Sequence, residues 1–433
     1  MSTTEIGEHL GIRVYSNNIH SSTMASVLSI GVSKITPAAF LPRLCKIPKN
    51  HNAIQVAFMK RLALCDPVRK PAPFKYWEKL YSAFQMAKTS IVMRYDENTR
   101  IIVVDGPPAV GKSKLCEKLA EEFGMMYMPP PGHDELYINP YGYDLREMDS
   151  KLPLHAQSYD LERFLAKPND VRVPFFQLMY YLMRFEQYAN AILHVLSTGQ
   201  GVVLNRCAYS DIAFTEAMLK SGYISKEAMS QYMFMKNKGC KKLFRPHLVI
   251  YLDVPPELVK EKIKKRGNPH EVNSKVFTTK FLSDLENAYK EKYLKTLKEH
   301  SQLLIYDWSK EGNFNDVIHD VEEVDLDTFK KPRLADWIFG SVAEIYDAIQ
   351  IFQEKVPIVL DMYNNMEVPP RELYWTAEEF DLIESTMNSI PTEKYDYGFF
   401  PKIDKNLWFK YDQPELHPFR RTPRDFVNLN KSM

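Results

Sequence analysis

Residues 106–113 read GPPAVGKS, which fits the spacing G-x-x-x-x-G-K-S. In that spacing successive backbone N–H groups at the start of a helix converge on an anion, while a lysine adds charge and a serine hydroxyl is placed to hold magnesium. Gly106, Gly111, Lys112 and Ser113 supply these parts. Pro107 and Pro108 remove two N–H groups early in the loop. Ala109 stands where related loops place glycine, and a positive φ there would cost an L-residue about 1–2 kcal/mol. Further along, Arg206 lies at the end of an apolar run, where a charge needs a carboxylate or phosphate partner.

The elements around the loop place it correctly for this chemistry. RIIVVDG (100–106) is a compact β-branched run, and KLCEKLAEEF (114–123) sets Leu115, Leu119 and Phe123 on one helical face. Further strands are predicted at 125–128, 201–206, 247–254 and 302–308, and helices at 173–198, 208–221, 256–266 and 277–300. The strands are nearly continuous in apolar residues, which predicts burial on both faces of a parallel sheet. Strand and helix alternate, so the fold class is α/β. A short helix and linker are expected at 76–95, and a helix at 334–356. The alternation stops near residue 326, and from Tyr374 onward the chain is rich in proline and aromatics. That tail is too aromatic for simple disorder. It is expected either to wrap its own domain or to act as a docking arm.

Composition narrows the function classes. With 433 residues, 45% hydrophobic and 12% aromatic, the chain can bury a sizeable core. Its 56 basic and 55 acidic residues leave a net charge of +1, so no global field draws it to nucleic acid or to an anionic membrane. The five cysteines (Cys45, Cys65, Cys116, Cys207, Cys240) lack zinc-ligand spacing, and no apolar run is long enough to span a bilayer. Between Met24 and Cys65 there is no acid among several lysines and arginines, the pattern of a mitochondrial transit peptide. Glu5 and Glu8 precede it, and an internal start at Met24 would leave them out.

The ordered motifs over residues 98–325 resemble the deoxynucleoside kinase family. After the loop come VPFFQL (173–178), LNRCAYSD (204–211) and VIYLDVPPELVKEKIKKRG (249–267). The resemblance implies a P-loop nucleoside-kinase-like domain with a five-stranded, mostly parallel sheet flanked by helices. It also implies that Gln177 reads a nucleobase edge, that Arg206 and Arg266 face phosphates, and that Ser113 would ligate magnesium if a nucleotide is bound. Without the resemblance Gln177 is a polar residue on a helix flank. Lys262, Lys264, Lys265 and Arg266 are equally a phosphate lid or a solvated helix face.

Two departures bear on catalysis. Where family kinases carry a glutamate after the second strand, this chain has Met128, Pro129 and Pro130, and the first acids are Asp134 and Glu135. Asn205 replaces the acid that supports magnesium, and Cys207 replaces a serine; an amide is a weaker ligand for a hard cation. No catalytic residue and no resident metal are therefore expected, and a required cofactor is not. A structurally held purine nucleotide with magnesium is the one ligand the resemblance leaves room for.

TGQGVVLNRCAYSD (198–211), PHLVIYLDVP (246–255), GNPHEV (267–272), DLENAYKEKYL (284–294), KYDYGFF and LWFK (407–410) are similar to the nucleoside-kinase-like accessory subunits of mitochondrial respiratory complex I. That similarity implies a non-catalytic, matrix-side subunit whose partners are other complex I subunits at the matrix face of the membrane arm. The alternative is an active mitochondrial deoxynucleoside kinase moving the ATP γ-phosphate to a nucleoside. The organisation expected is a leader (1–70), an amino-terminal extension (71–98), the kinase-like domain (99–325) and a carboxy-terminal docking extension (326–433).

Overall fold

A computed structural model describes residues 58–64, 70–77, 91–138, 143–310, 312–326, 336–353, 355–363 and 370–388. Most of the transit-like segment, the expected helix around 78–90 and the aromatic tail beyond residue 388 lie outside the described residues.

Five strands form one sheet: β1 (Ile101–Asp105), β2 (Met126–Met128), β3 (Val202–Asn205), β4 (Leu248–Asp253) and β5 (Gln302–Asp307). Their order is β2-β3-β1-β4-β5, and every pairing is parallel, where the sequence predicted mostly parallel. Burial on both faces holds for β1 and β3, in which every residue is buried, and for all but the last residue of β4. It fails at β5 and for most of β2, because an edge strand has a neighbour on one side only.

Helices of eight residues or more are α1 (Lys112–Phe123), α2 (Val173–Thr198), α3 (Ile212–Lys220), α4 (Lys226–Cys240), α5 (Pro256–Arg266), α6 (Thr279–Ala288), α7 (Phe314–Glu323), α8 (Val342–Gln353), α9 (Val356–Tyr363) and α10 (Ala377–Asn388). α2 is apolar nearly all round, and nineteen of its residues are buried, as expected of a helix enclosed by other elements. It packs on β1 and β3 and is covered in turn by α8.

Three boundaries differ from expectation. The helix predicted over 208–221 begins at Ile212, because Ser210 turns back on Cys207 through paired hydrogen bonds. The helix predicted over 334–356 begins at Val342, since Asp336 and Trp337 are held instead by Arg245. The helix predicted over 277–300 is interrupted by a π-turn at Tyr289–Leu294, which rotates Tyr289 and Tyr293 into the core. α4 was not anticipated. Its polar residues, among them Lys236 and Lys238, weaken the apolar period, while Ser225 caps its first turn.

Beyond the sheet, a smaller cluster joins Leu145, Met148 and Leu152 to Trp375 and Ile383. The described part of the carboxy-terminal extension therefore packs on the chain itself.

Candidate functional site

β1 ends at the centre of the sheet with β3 and β4 on either side, so a crevice opens at the carboxyl ends of the strands. The loop of residues 106–111 leads from β1 into α1. Gly106 takes φ 146, and a Cβ there would lie 2.8 Å from the Leu252 carbonyl oxygen, so no side chain fits. Gly111, at φ 92, turns the chain into α1. Ala109 adopts φ 62, a left-handed conformation that is strained for an L-residue.

The side chains of the loop face a polar, mostly buried space. Lys112 is buried, and its Nζ donates to the Pro107 carbonyl at 2.5 Å. Burial, with the nearby Arg206 charge, pushes its ammonium down to about 7. Parallel pairing sets Asn205 beside Val104, and from there the Asn205 Nδ2 donates to the Ser113 Oγ at 3.0 Å. Arg206 follows at φ 68, its guanidinium 3.7 Å from the centroid of the Phe214 ring and its Nε buried without a hydrogen-bond partner. Asp105 is fully buried; it accepts from the Tyr293 hydroxyl at 2.6 Å, and its Oδ1 has no partner. Burial raises its pKa against the opposing effect of Tyr293.

A second cluster lies between α2, α3 and α4. Gln177 is buried, and its Nε2 donates to Asp211 Oδ2 at 2.8 Å and to Thr215 Oγ1 at 2.9 Å. Tyr232 donates to the same carboxylate oxygen at 2.9 Å. Arg184, only 2% exposed, stands 3.6 Å from Asp211 Oδ1 and lies over the Tyr180 ring, with its Nη1 left unpaired. Burial raises the Asp211 pKa, opposed by Arg184 and Arg206. Arg184, Asp211 and Tyr293 were not singled out from sequence. Arg184 lies about two turns from Gln177 on the same face of α2, and that spacing was the available signal.

The remaining candidates sit elsewhere. Arg266, at the end of α5, is about half exposed, and its Nε donates to Glu271 at 2.9 Å. It nevertheless lies near enough to help depress Lys112. Asp134 is 70% exposed and pairs with Arg146 at 2.8 Å, while Glu135 accepts from the Gly132 amide. Neither offers a buried, oriented base.

A phosphate fits these residues: a glycine cradle that a Cβ would fill, the amino end of a twelve-residue helix, and two cations. Magnesium fits poorly, because an amide N–H already occupies the Ser113 hydroxyl. Among the described residues no group of three or more His, Cys, Asp or Glu could hold a metal ion.

The sequence profile of the deoxynucleoside kinase family matches residues 102–331. The chain is 33% identical to NADH dehydrogenase [ubiquinone] 1 alpha subcomplex subunit 10, mitochondrial, of Mus musculus over 317 residues, 72% of this chain and 85% of that protein. The Bos taurus protein of the same name is also 33% identical, over 72% and 88%. Deoxyguanosine kinase of Dictyostelium discoideum is 26% identical over 52% of this chain and 69% of its own. Among solved structures, deoxyadenosine kinase from M. mycoides with bound dCTP aligns at a TM-score of 0.38 and 18% identity, covering 52% of this chain and all of that one. The glycine cradle on a parallel sheet, the family profile and the long relatives together show that this chain belongs to the deoxynucleoside kinase family, in the group that includes the mitochondrial NADH dehydrogenase alpha subcomplex subunit 10 proteins.

Proposed function

We propose that this chain is a non-catalytic accessory subunit of mitochondrial respiratory complex I, bound to other subunits on the matrix side and supporting assembly or stability of the complex. The observation that carries this reading is reach: the similarity to the NADH dehydrogenase subunits spans 85–88% of their length, against 69% for the deoxyguanosine kinase. Loss of catalysis is supported by the cleft itself. Phosphoryl transfer relies on positioned charge and on a base for the attacking hydroxyl. Pro129 and Pro130 follow β2 where a base would be needed, and Asn205 offers Ser113 an amide in place of a carboxylate. The cleft then serves to hold a nucleotide, stabilising the folded chain by mass action without turnover. Among the described residues no helix is long and apolar enough to cross a membrane, which suits attachment through partner subunits.

Native separation of mitochondrial membranes tests the reading. Migration of this chain with a respiratory assembly, and loss of that assembly when the chain is depleted, are the expected results. A small species that consumes ATP in the presence of a nucleoside, with activity abolished by Lys112→Ala, would instead establish a working kinase.

A further inference from the structure

We propose that the phosphate end of the cleft holds a nucleotide's phosphates without a divalent cation, the charge being met by Lys112, Arg206 and the amino end of α1. The inference rests on the nucleotide-holding reading above and specifies its chemistry. A hard cation bound at the start of α1 would take the Ser113 hydroxyl and would need carboxylate oxygen close by. What this chain places there is the Asn205 amide, whose Nδ2 donates to Ser113 Oγ at 3.0 Å. An N–H pointing into that space repels a cation and leaves the hydroxyl oxygen engaged. Tyr127 on β2 borders the same pair: burial raises its phenol pKa, opposed by Ser113 and Asn205.

The buried carboxylate at the end of β1 is engaged through one of its oxygens, the other having no hydrogen-bond partner. Asp105 Oδ2 accepts the Tyr293 hydroxyl at 2.6 Å, and burial favours its protonated form. Tyr293 reaches it because the π-turn at Tyr289–Leu294 aims it there. Lys112 and Arg206 supply positive charge here: Arg206 is near enough to lower the Lys112 pKa, and it keeps a buried Nε without a partner. These are donors and positive charge placed for an acceptor-rich anion, beside a serine hydroxyl whose hydrogen-bond partner is an amide and not a carboxylate.

Calorimetric titration of the full-length chain with ADP, once in excess EDTA and once in excess magnesium, tests the proposal. The affinities are expected to agree within about twofold, and Asn205→Glu is expected to make ADP binding about tenfold tighter with magnesium than without. Wild-type binding that is about tenfold or more tighter with magnesium would overturn the inference while leaving the nucleotide-holding reading intact. No measurable ADP binding in either condition would remove both. An Asn205→Glu variant indifferent to magnesium would overturn the role given to Asn205.

Discussion

The two ends of the cleft treat buried charge in opposite ways. At the end near α4, Asp211 is surrounded by donors: Gln177, Tyr232 and Arg184 all face one carboxylate. At the phosphate end, Arg206 lies near enough to Lys112 to lower its pKa, while Asp105 accepts from Tyr293 with one carboxylate oxygen. The first cluster closes around its carboxylate and ties α2, α3 and α4 together, although the Arg184 Nη1 stays unpaired. The second is held at a cost by the rest of the fold, as sites kept for a ligand commonly are. It follows that removing a charge should weaken the protein at one end and strengthen it at the other.

Arg184→Met would test the closed end most severely. It strands the Asp211 charge in the interior, and a loss of about 3–5 kcal/mol in unfolding free energy is expected. Urea unfolding checks this, and a loss below about 1 kcal/mol would mean that Gln177 and Tyr232 suffice to hold the carboxylate.

Lys112→Met breaks the comparison from the other side. The folded-state pKa of Lys112 is depressed to about 7 from the ordinary 10.5. Between those values the unfolded chain binds the additional proton, so stability rises as pH rises through that window and the penalty is greatest below it. The variant is expected to exceed the parent by about 2–4 kcal/mol at about pH 6, with the gap closing toward about pH 10. Unfolding measured at the two pH values decides it; a gap independent of pH would show that the ammonium is solvated in the folded chain.

The smallest effect belongs to the loop backbone. Ala109→Gly relieves the left-handed strain at φ 62 and should stabilise the protein by about 0.5–1 kcal/mol, read as a small rise in the thermal midpoint.

Much of this arrangement was legible in the residues. The loop from Gly106 to Ser113, the strand before it and the helix after it follow from local spacing, because each depends on neighbours along the chain. At Ala109 the sequence marked only the position where a positive φ would be costly, and the structure supplied the angle. Gln177 was named as a reader of a nucleobase edge on the strength of a resemblance; the structure buries it with its amide nitrogen on Asp211 and Thr215, contacts that motif order does not reveal. Arg266 was named on the same ground, yet its guanidinium turns to Glu271 five residues away, a local ion pair that motif order does not reveal.

The sequence by itself determined an α/β chain with a G-x-x-x-x-G-K-S loop between strand and helix and without an acid at the position after β2. Those properties are written in residue type and short-range period. Tertiary structure alone decided what the buried groups do to one another. That Asn205 reaches Ser113 depends on the parallel register of β1 and β3, which joins residues 92 positions apart. That Tyr293 meets Asp105 depends on a π-turn bringing together residues 188 apart. Neither contact leaves a periodic trace in the chain, because hydrogen bonds between distant segments are fixed by how the sheet is ordered and not by what lies next in sequence.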